Sequence, residues 1–133
     1  MSNTPPHEPG SILWVDLTVS SADRVRDFYA KVVGWKHEPV DMDGYSEYNM
    51  KAPQSGNPTA GVCHARGVNA GLPPYWLVYI TVENIAQSVQ QVVELGGKVI
   101  VQPKGMGGQG SYCVIQDPAG AVAALFEPAT NQA

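Results

Sequence analysis

Residues Ile12 to Trp35 read ILWVDLTVSSADRVRDFYAKVVGW, and 63 residues further on Tyr75 to Lys98 read YWLVYITVENIAQSVQQVVELGGK. Lining Val19 up with Val82 also pairs Leu13 with Trp76, Val15 with Val78, Leu17 with Ile80 and Gly34 with Gly97. The chain is one unit used twice. Each copy opens on about eight residues rich in Val, Ile, Leu, Thr and aromatics before a polar break, the length and composition of a strand. A helix follows. In the first copy Ser20 or Ser21 is placed to cap it, Ala22, Val25, Phe28, Tyr29, Val32 and Val33 fall at i, i+3, i+4 spacing, and Gly34 supplies a left-handed stop. In the second, Glu83 or Asn84 opens the helix, Ile85, Val89, Val92 and Val93 form the stripe, and Gly96 and Gly97 end it.

Outward from these anchors the first copy continues with a strand from Trp35 to Val40, a turn at Asp41-Met42-Asp43-Gly44 and a strand from Tyr45 to Met50. A turn-rich KAPQSGNP segment then leads to a short strand from Thr59 to His64. The second copy repeats the order: strand Tyr75 to Val82, helix 84–95, strand Lys98 to Gln102, a glycine-rich loop, strand Ser111 to Gln116, turn 117–120 and strand Ala121 to Phe126. That is βαβββ twice, an α+β fold, with modules at 11–64 and 75–128 joined by a Gly- and Pro-containing linker at 65–74. Two modules of this size are marginal apart, so 1–133 is expected to be a single domain. The glycine-rich KGMGGQG at 104–110 connects strands and opens no helix, so it lacks the amide cradle of a phosphate loop.

Composition narrows the function classes. Eight basic against twelve acidic residues give a net charge of −4, with no Lys/Arg cluster that would track a phosphate backbone, which argues against nucleic acid. No run of ~18 apolar residues marks a membrane span. The first ten residues, MSNTPPHEPG, are polar and proline-rich, a loose arm without the apolar core of an export signal, so the expected location is cytoplasmic. Cys63 and Cys113 lie in no CxxC pair and are read as reduced thiols.

With the opening strand, the SADRVRDFYAKVVGW helix and the closing DPAGAVAALFEP hairpin in place, the sequence resembles the vicinal oxygen chelate superfamily: glyoxalase I, extradiol dioxygenases and the bleomycin and fosfomycin resistance proteins. The resemblance implies that two βαβββ modules pair into a curled mixed sheet around a cavity. It also implies metal ligands on the cavity face of the first and last strand of each module. Those positions fall here on Trp14, Leu77, Ala124 and, by the repeat, Gly61. None offers a side-chain donor to a divalent metal, so no metal or other cofactor is expected. A register error would bring Asp16, Cys63, His64 or Glu127 into the site. Period-2 alternation opposes a shift by one residue, whereas a shift by two would admit Asp16 and Cys63.

Alternation also names the lining. If Trp14 faces the cavity, so do Asp16 and Thr18, with Leu77, Tyr79 and Thr81 from the other module and Gly61, Cys63, Val122, Ala124 and Phe126 from the closing strands. The ligand-binding candidates are Trp14, Asp16, Thr18, Cys63, Leu77, Tyr79, Ala124 and Phe126, an apolar and aromatic set suited to a planar or hydrophobic small molecule. The competing expectation is a collapsed core in which these side chains only fill space. Asp16, a lone carboxylate in an apolar strand, is the candidate catalytic residue, since burial would raise its pKa toward that of a general base. It is equally placed to accept hydrogen bonds from neighbours such as Tyr79. Cys63 reads as packing, and His7, His37 and His64 show no ligand spacing. Glu47 shares a strand face with Tyr45 and Asn49, either at the cavity rim or in solvent. Trp76 reads as core, and Asp23, Arg24, Arg26 and Asp27 as the wet face of the first helix.

Two functions follow: a metal-independent binder of an aromatic or hydrophobic molecule, or a lyase or dioxygenase of the glyoxalase type with displaced ligands or with Asp16 as a metal-free catalyst. The resemblance further implies a homodimer, with modules paired within a chain or exchanged between chains.

Overall fold

Val, Ile, Thr and aromatic runs become strands, and the period-3.6 stripes become helices that cover one side of them. The computed structural model describes residues 8–129; most of the N-terminal arm lies outside them. The chain divides into two compact units, one spanning Trp14–Trp76 and one made of Leu77 onward together with the residues up to Leu13.

The first unit carries β1 (Ile12–Val19, whose first two residues belong to the other unit), α1 (Ala22–Val32), β2 (Lys36–Asp41), β3 (Ser46–Lys51) and β4 (Pro58–His64). β1 runs parallel to β4, and β3 is antiparallel to both β4 and β2, giving the order β2-β3-β4-β1. The second unit carries β5 (Trp76–Thr81, entered from Trp76), α2 (Ile85–Glu94), β6 (Lys98–Gly105), β7 (Gly110–Gln116) and β8 (Val122–Pro128). Its strand order is β5-β8-β7-β6, with β5 parallel to β8 and the other pairs antiparallel. Each half is the βαβββ module that the repeat predicts. Boundaries moved by a residue or two, and β6 runs into the glycine-rich segment, where Lys104 and Gly105 pair with Tyr112 and Ser111. Single 3-10 turns occupy Gly67–Asn69 and Gly107–Gln109.

Each sheet has one side under its helix. In the first unit Ala22, Tyr48, Met50 and Val62 are buried together, flanked by Val19, Val25, Tyr29, Trp35 and Trp76. The Trp76 indole N–H donates to the Tyr29 hydroxyl at 3.2 Å, which satisfies a polar group that the core would otherwise strand. Met50 and Val62 are fully buried, contributing about 1.5–3 kcal/mol each by removal from water. In the second unit Ile85, Cys113 and Leu125 form the corresponding cluster with Ile80, Val82, Val89 and Ile115. The helical stripes are narrower than the sequence suggests: Phe28, Val32, Val33 and Val93 are exposed.

The helix ends also differ from expectation in detail. Asn84 caps α2, its side-chain oxygen accepting the Gln87 N–H at 3.0 Å, whereas Ser21 stands at the N-cap of α1 without a side-chain bond. Gly34 and Gly96 turn the chain out of the helices at φ +78° and +93°, a conformation that costs a side chain but not glycine. Both outer strands, β2 and β6, contain a proline, Pro39 and Pro103, and all six residues of β2 are exposed. Among the described residues no helix is long and apolar enough to cross a membrane.

Candidate functional site

In the first unit Tyr48, Met50 and Val62 point to α1, so alternation turns Glu47, Asn49, Gly61 and Cys63 to the other side of the sheet. Trp14, Asp16 and Thr18 of β1 share that side. The register arranges them in two rows. Asp16 lies beside Gly61, which lies beside Asn49; Thr18 lies beside Cys63, and one further step of the β3–β4 register brings Glu47 beside Cys63. Glu47, whose orientation the sequence leaves open, therefore joins Asp16 and Cys63. Tyr45 does not. It precedes β3, escapes the alternation, and packs against His64 with the Arg66 guanidinium 3.7 Å above its ring.

Trp14 and Gly61 fit each other closely. A Cβ at Gly61 would stand 3.2 Å from Trp14 Nε1 and 3.1 Å from the Asp16 Cβ, so the indole packs directly on the glycine and an added methyl would press on both neighbours. This corner is where the family resemblance places two metal ligands of the first module. An indole N–H is a donor and glycine has no side chain, so the pair does not fit a divalent cation. Among the described residues no group of three or more His, Cys, Asp and Glu is arranged to hold one.

The electrostatics of this face follow from burial. Asp16 is 8% exposed and Thr18 5%, while Trp14, Glu47, Asn49 and Cys63 are half-buried. Removal from water raises the Glu47 pKa above the usual carboxylate range, against the pull of the Cys63 thiol and the charge of His64. Burial likewise pushes the Cys63 thiol far up, and the Asp16 and Glu47 carboxylates add to it. The thiol is thus held as an S–H within hydrogen-bonding reach of Glu47, the opposite of an activated nucleophile.

Of the residues that a register shift would recruit, Asp16 and Cys63 lie on the face away from the helix, and His64 and Glu127 lie on the helix side. His64 Nε2 is 3.6 Å from Asp23 Oδ1, which also accepts the Tyr48 hydroxyl at 2.5 Å. Arg26 sits over the Tyr48 ring, so Asp23 and Arg26, expected to be fully wet, clamp α1 to β3. Glu127, 63 residues after His64, accepts the Ile85 N–H at 2.8 Å and closes the first turn of α2. The same repeat position ties down the helix start in both halves.

In the second unit Leu77, Tyr79 and Thr81 face away from α2, with Ala124 beside Tyr79 and Phe126 beside Thr81. Across β8 the rows end on Val114 and Tyr112, which sequence reasoning missed although their alternation with Cys113 was available to find them. Leu77 and Thr81 are each 1% exposed, Ala124 is fully buried and Phe126 is 5% exposed. Tyr79 and Tyr112 stand with ring centroids 6.3 Å apart. Cys113 lies on the helix side, its thiol pushed up to about 11 by burial; both cysteines are free. A groove of about 310 Å³ opens elsewhere in this unit, between α2 and the β7–β8 turn, lined by Val82, Val92, Leu95, Ile115 and Leu125 among others. Its lining is largely apolar and holds none of the candidate residues.

The chain is related in sequence to known proteins. The chain is 28% identical over 126 residues to "Putative glyoxylase CFP32" of Mycobacterium tuberculosis, covering 95% of this chain and 47% of that protein. It is 29% identical over 119 residues to the anthracycline biosynthesis protein DnrV of Streptomyces peucetius, covering 90% and 42%. The chain thus spans about half the length of these curated relatives. Its fold is similar to the crystal structure of hypothetical protein BH1468 from Bacillus halodurans C-125, with a TM-score of 0.59 at 18% identity, covering 92% of this chain and 96% of that one. A family model matches residues 11–125, and the chain belongs to the Glyoxalase/Bleomycin resistance protein/Dioxygenase superfamily.

Proposed function

We propose that this protein is a metal-independent member of the superfamily that binds a small aromatic or hydrophobic molecule, using the face of the first unit that carries Trp14, Asp16, Thr18 and Cys63. The observation that carries the reading is the Trp14–Gly61 pair: an indole lies over a glycine where the resemblance calls for two metal-binding side chains. The result is a partly exposed flat surface beside a few polar groups, the usual make-up of a small-molecule site. One relative is named for anthracycline biosynthesis, which points toward an aromatic compound. On the matching face of the second unit, Leu77, Tyr79, Ala124 and Phe126 are all buried and serve as packing in this reading.

The test is a thermal-shift screen of tag-free protein against a panel of aromatic compounds and against Zn²⁺, Ni²⁺, Mn²⁺ and Fe²⁺, because whatever binds only the native state raises Tm. Aromatic compounds are expected to raise Tm in the wild type and not in Trp14→Ala. Metal retained near stoichiometry after desalting, and lost on Asp16→Ala, would replace this reading with a metal enzyme.

A second reading, metal-free proton transfer by Asp16, draws on the burial of that carboxylate beside Cys63 and Glu47. It requires that Asp16→Asn keep the binding of a panel compound while abolishing any turnover of it. Loss of binding and turnover together would place Asp16 in recognition only.

A further inference from the structure

The corner around Gly61 also specifies which polar groups a bound molecule should carry. Three kinds of group lie on this row and the next. Trp14 Nε1, over Gly61, can only donate; Asn49, in register with Gly61, offers an amide that both donates and accepts; and the Glu47 carboxylate, in register with Cys63, accepts. The Gly61 and Cys63 rows are two residues apart along β4, a separation of about 7 Å at the rise of an extended strand. The spacing of the two rows is comparable to the span of one aromatic ring with a substituent at each end.

We infer that the favoured ligand is an aryl ketone with a hydroxyl para to the carbonyl. Its carbonyl oxygen is received by Trp14 Nε1 and the Asn49 amide, its hydroxyl donates to Glu47, and its ring lies against the indole. The oxygen that a metal would have polarised is taken instead by neutral N–H donors, and no proton or electron changes hands. An ortho isomer is disfavoured on two grounds: its hydroxyl is spent on its own carbonyl, and its two oxygens are too close to reach both rows. This inference rests on the binder reading above.

Titration of ¹⁵N-labelled protein with 4-hydroxyacetophenone, 2-hydroxyacetophenone, acetophenone and phenol, followed by NMR at the tryptophan indole N–H signals, tests it. Trp14→Phe assigns the signal. The Trp14 resonance is expected to shift with 4-hydroxyacetophenone at about tenfold lower concentration than with any of the other three, the scale of one well-made hydrogen bond to a charged group. Glu47→Ala should bring 4-hydroxyacetophenone down to the affinity of acetophenone while leaving acetophenone unchanged, a pattern that general loss of structure would not give. Gly61→Ala, which pushes the indole aside, should weaken all three ketones. Equal affinities for the four probes, or shifts confined to Trp35 and Trp76, would overturn the inference and leave the binder reading standing. If none of the four binds but another panel compound moves Trp14, the inference alone falls. If the panel is empty as well, both fall.

Discussion

The two halves of the chain use one backbone plan and opposite chemistry on the side of the sheet away from the helix. In the first unit the rows read Asp16, Gly61, Asn49 and Thr18, Cys63, Glu47. In the second, the same rows read Tyr79, Ala124, Val114 and Thr81, Phe126, Tyr112. On the helix side the halves stayed alike, down to His64 and Glu127 reaching the first turn of their helices from matching positions. The helix sides thus share what each module needs to hold its helix. On the other side, one face carries buried aromatic and aliphatic residues, and the other carries carboxylates, an amide and an indole.

The sharpest way to break this comparison is to truncate matching residues and measure chemical denaturation. Phe126→Ala, at a 5% exposed site, should cost about 3–5 kcal/mol, whereas Cys63→Ala, one methylene-sized sulfur at the same repeat position, should cost roughly 1 kcal/mol. Equal costs would mean that the first face is packed as tightly as the second. The next pair is Leu77→Ala, expected to lose about 2–4 kcal/mol, against Trp14→Phe, expected to lose under about 1.5 kcal/mol because the smaller ring still covers Gly61.

The helix-side pair sharpens the comparison from the conserved plan. Glu127→Ala leaves the Ile85 N–H without its carboxylate and should lose about 1 kcal/mol, as the removal of a helix cap does. His64→Ala should lose less, under about 0.5 kcal/mol, because its partner Asp23 is largely exposed and water screens the pair. The smallest effect is one of pH. Burial raises the Glu47 pKa in the folded state, so its protonated form is favoured by folding. Its contribution is complete below the ordinary carboxylate pKa and is lost as pH rises through the folded value. Glu47→Gln should therefore stabilise the protein at neutral pH, with the gain disappearing toward pH ~4, where the unperturbed side chain titrates. A gain independent of pH would assign the effect to packing instead.

The repeat made most of the fold legible. Val19 against Val82 and Gly34 against Gly97 set two strand–helix units, and the strand faces followed because side chains alternate with a fixed period of two. That rule alone puts Trp14, Asp16, Thr18 and Cys63 on one face. It stops at Glu47, because alternation sets the polar Glu47–Asn49 face against Tyr48 and Met50 but does not say whether that polar face meets the cavity rim or solvent. In α1, Phe28 and Val32 fit a helical stripe, yet only Ala22, Val25 and Tyr29 of that stripe pack on the sheet, while Phe28 and Val32 are exposed. Lone polar residues near strand ends, such as Glu127, carry no sequence mark of the helix they cap 42 positions away.

The outer strands β2 and β6 each carry a proline, and β6 is broken twice more by shifts of register around Val101. A strand that hydrogen-bonds on one side only presents its other side as a template for any extended chain, and proline removes a rung from that template. Pro39 and Pro103 each leave a gap in that template, one on either outer margin.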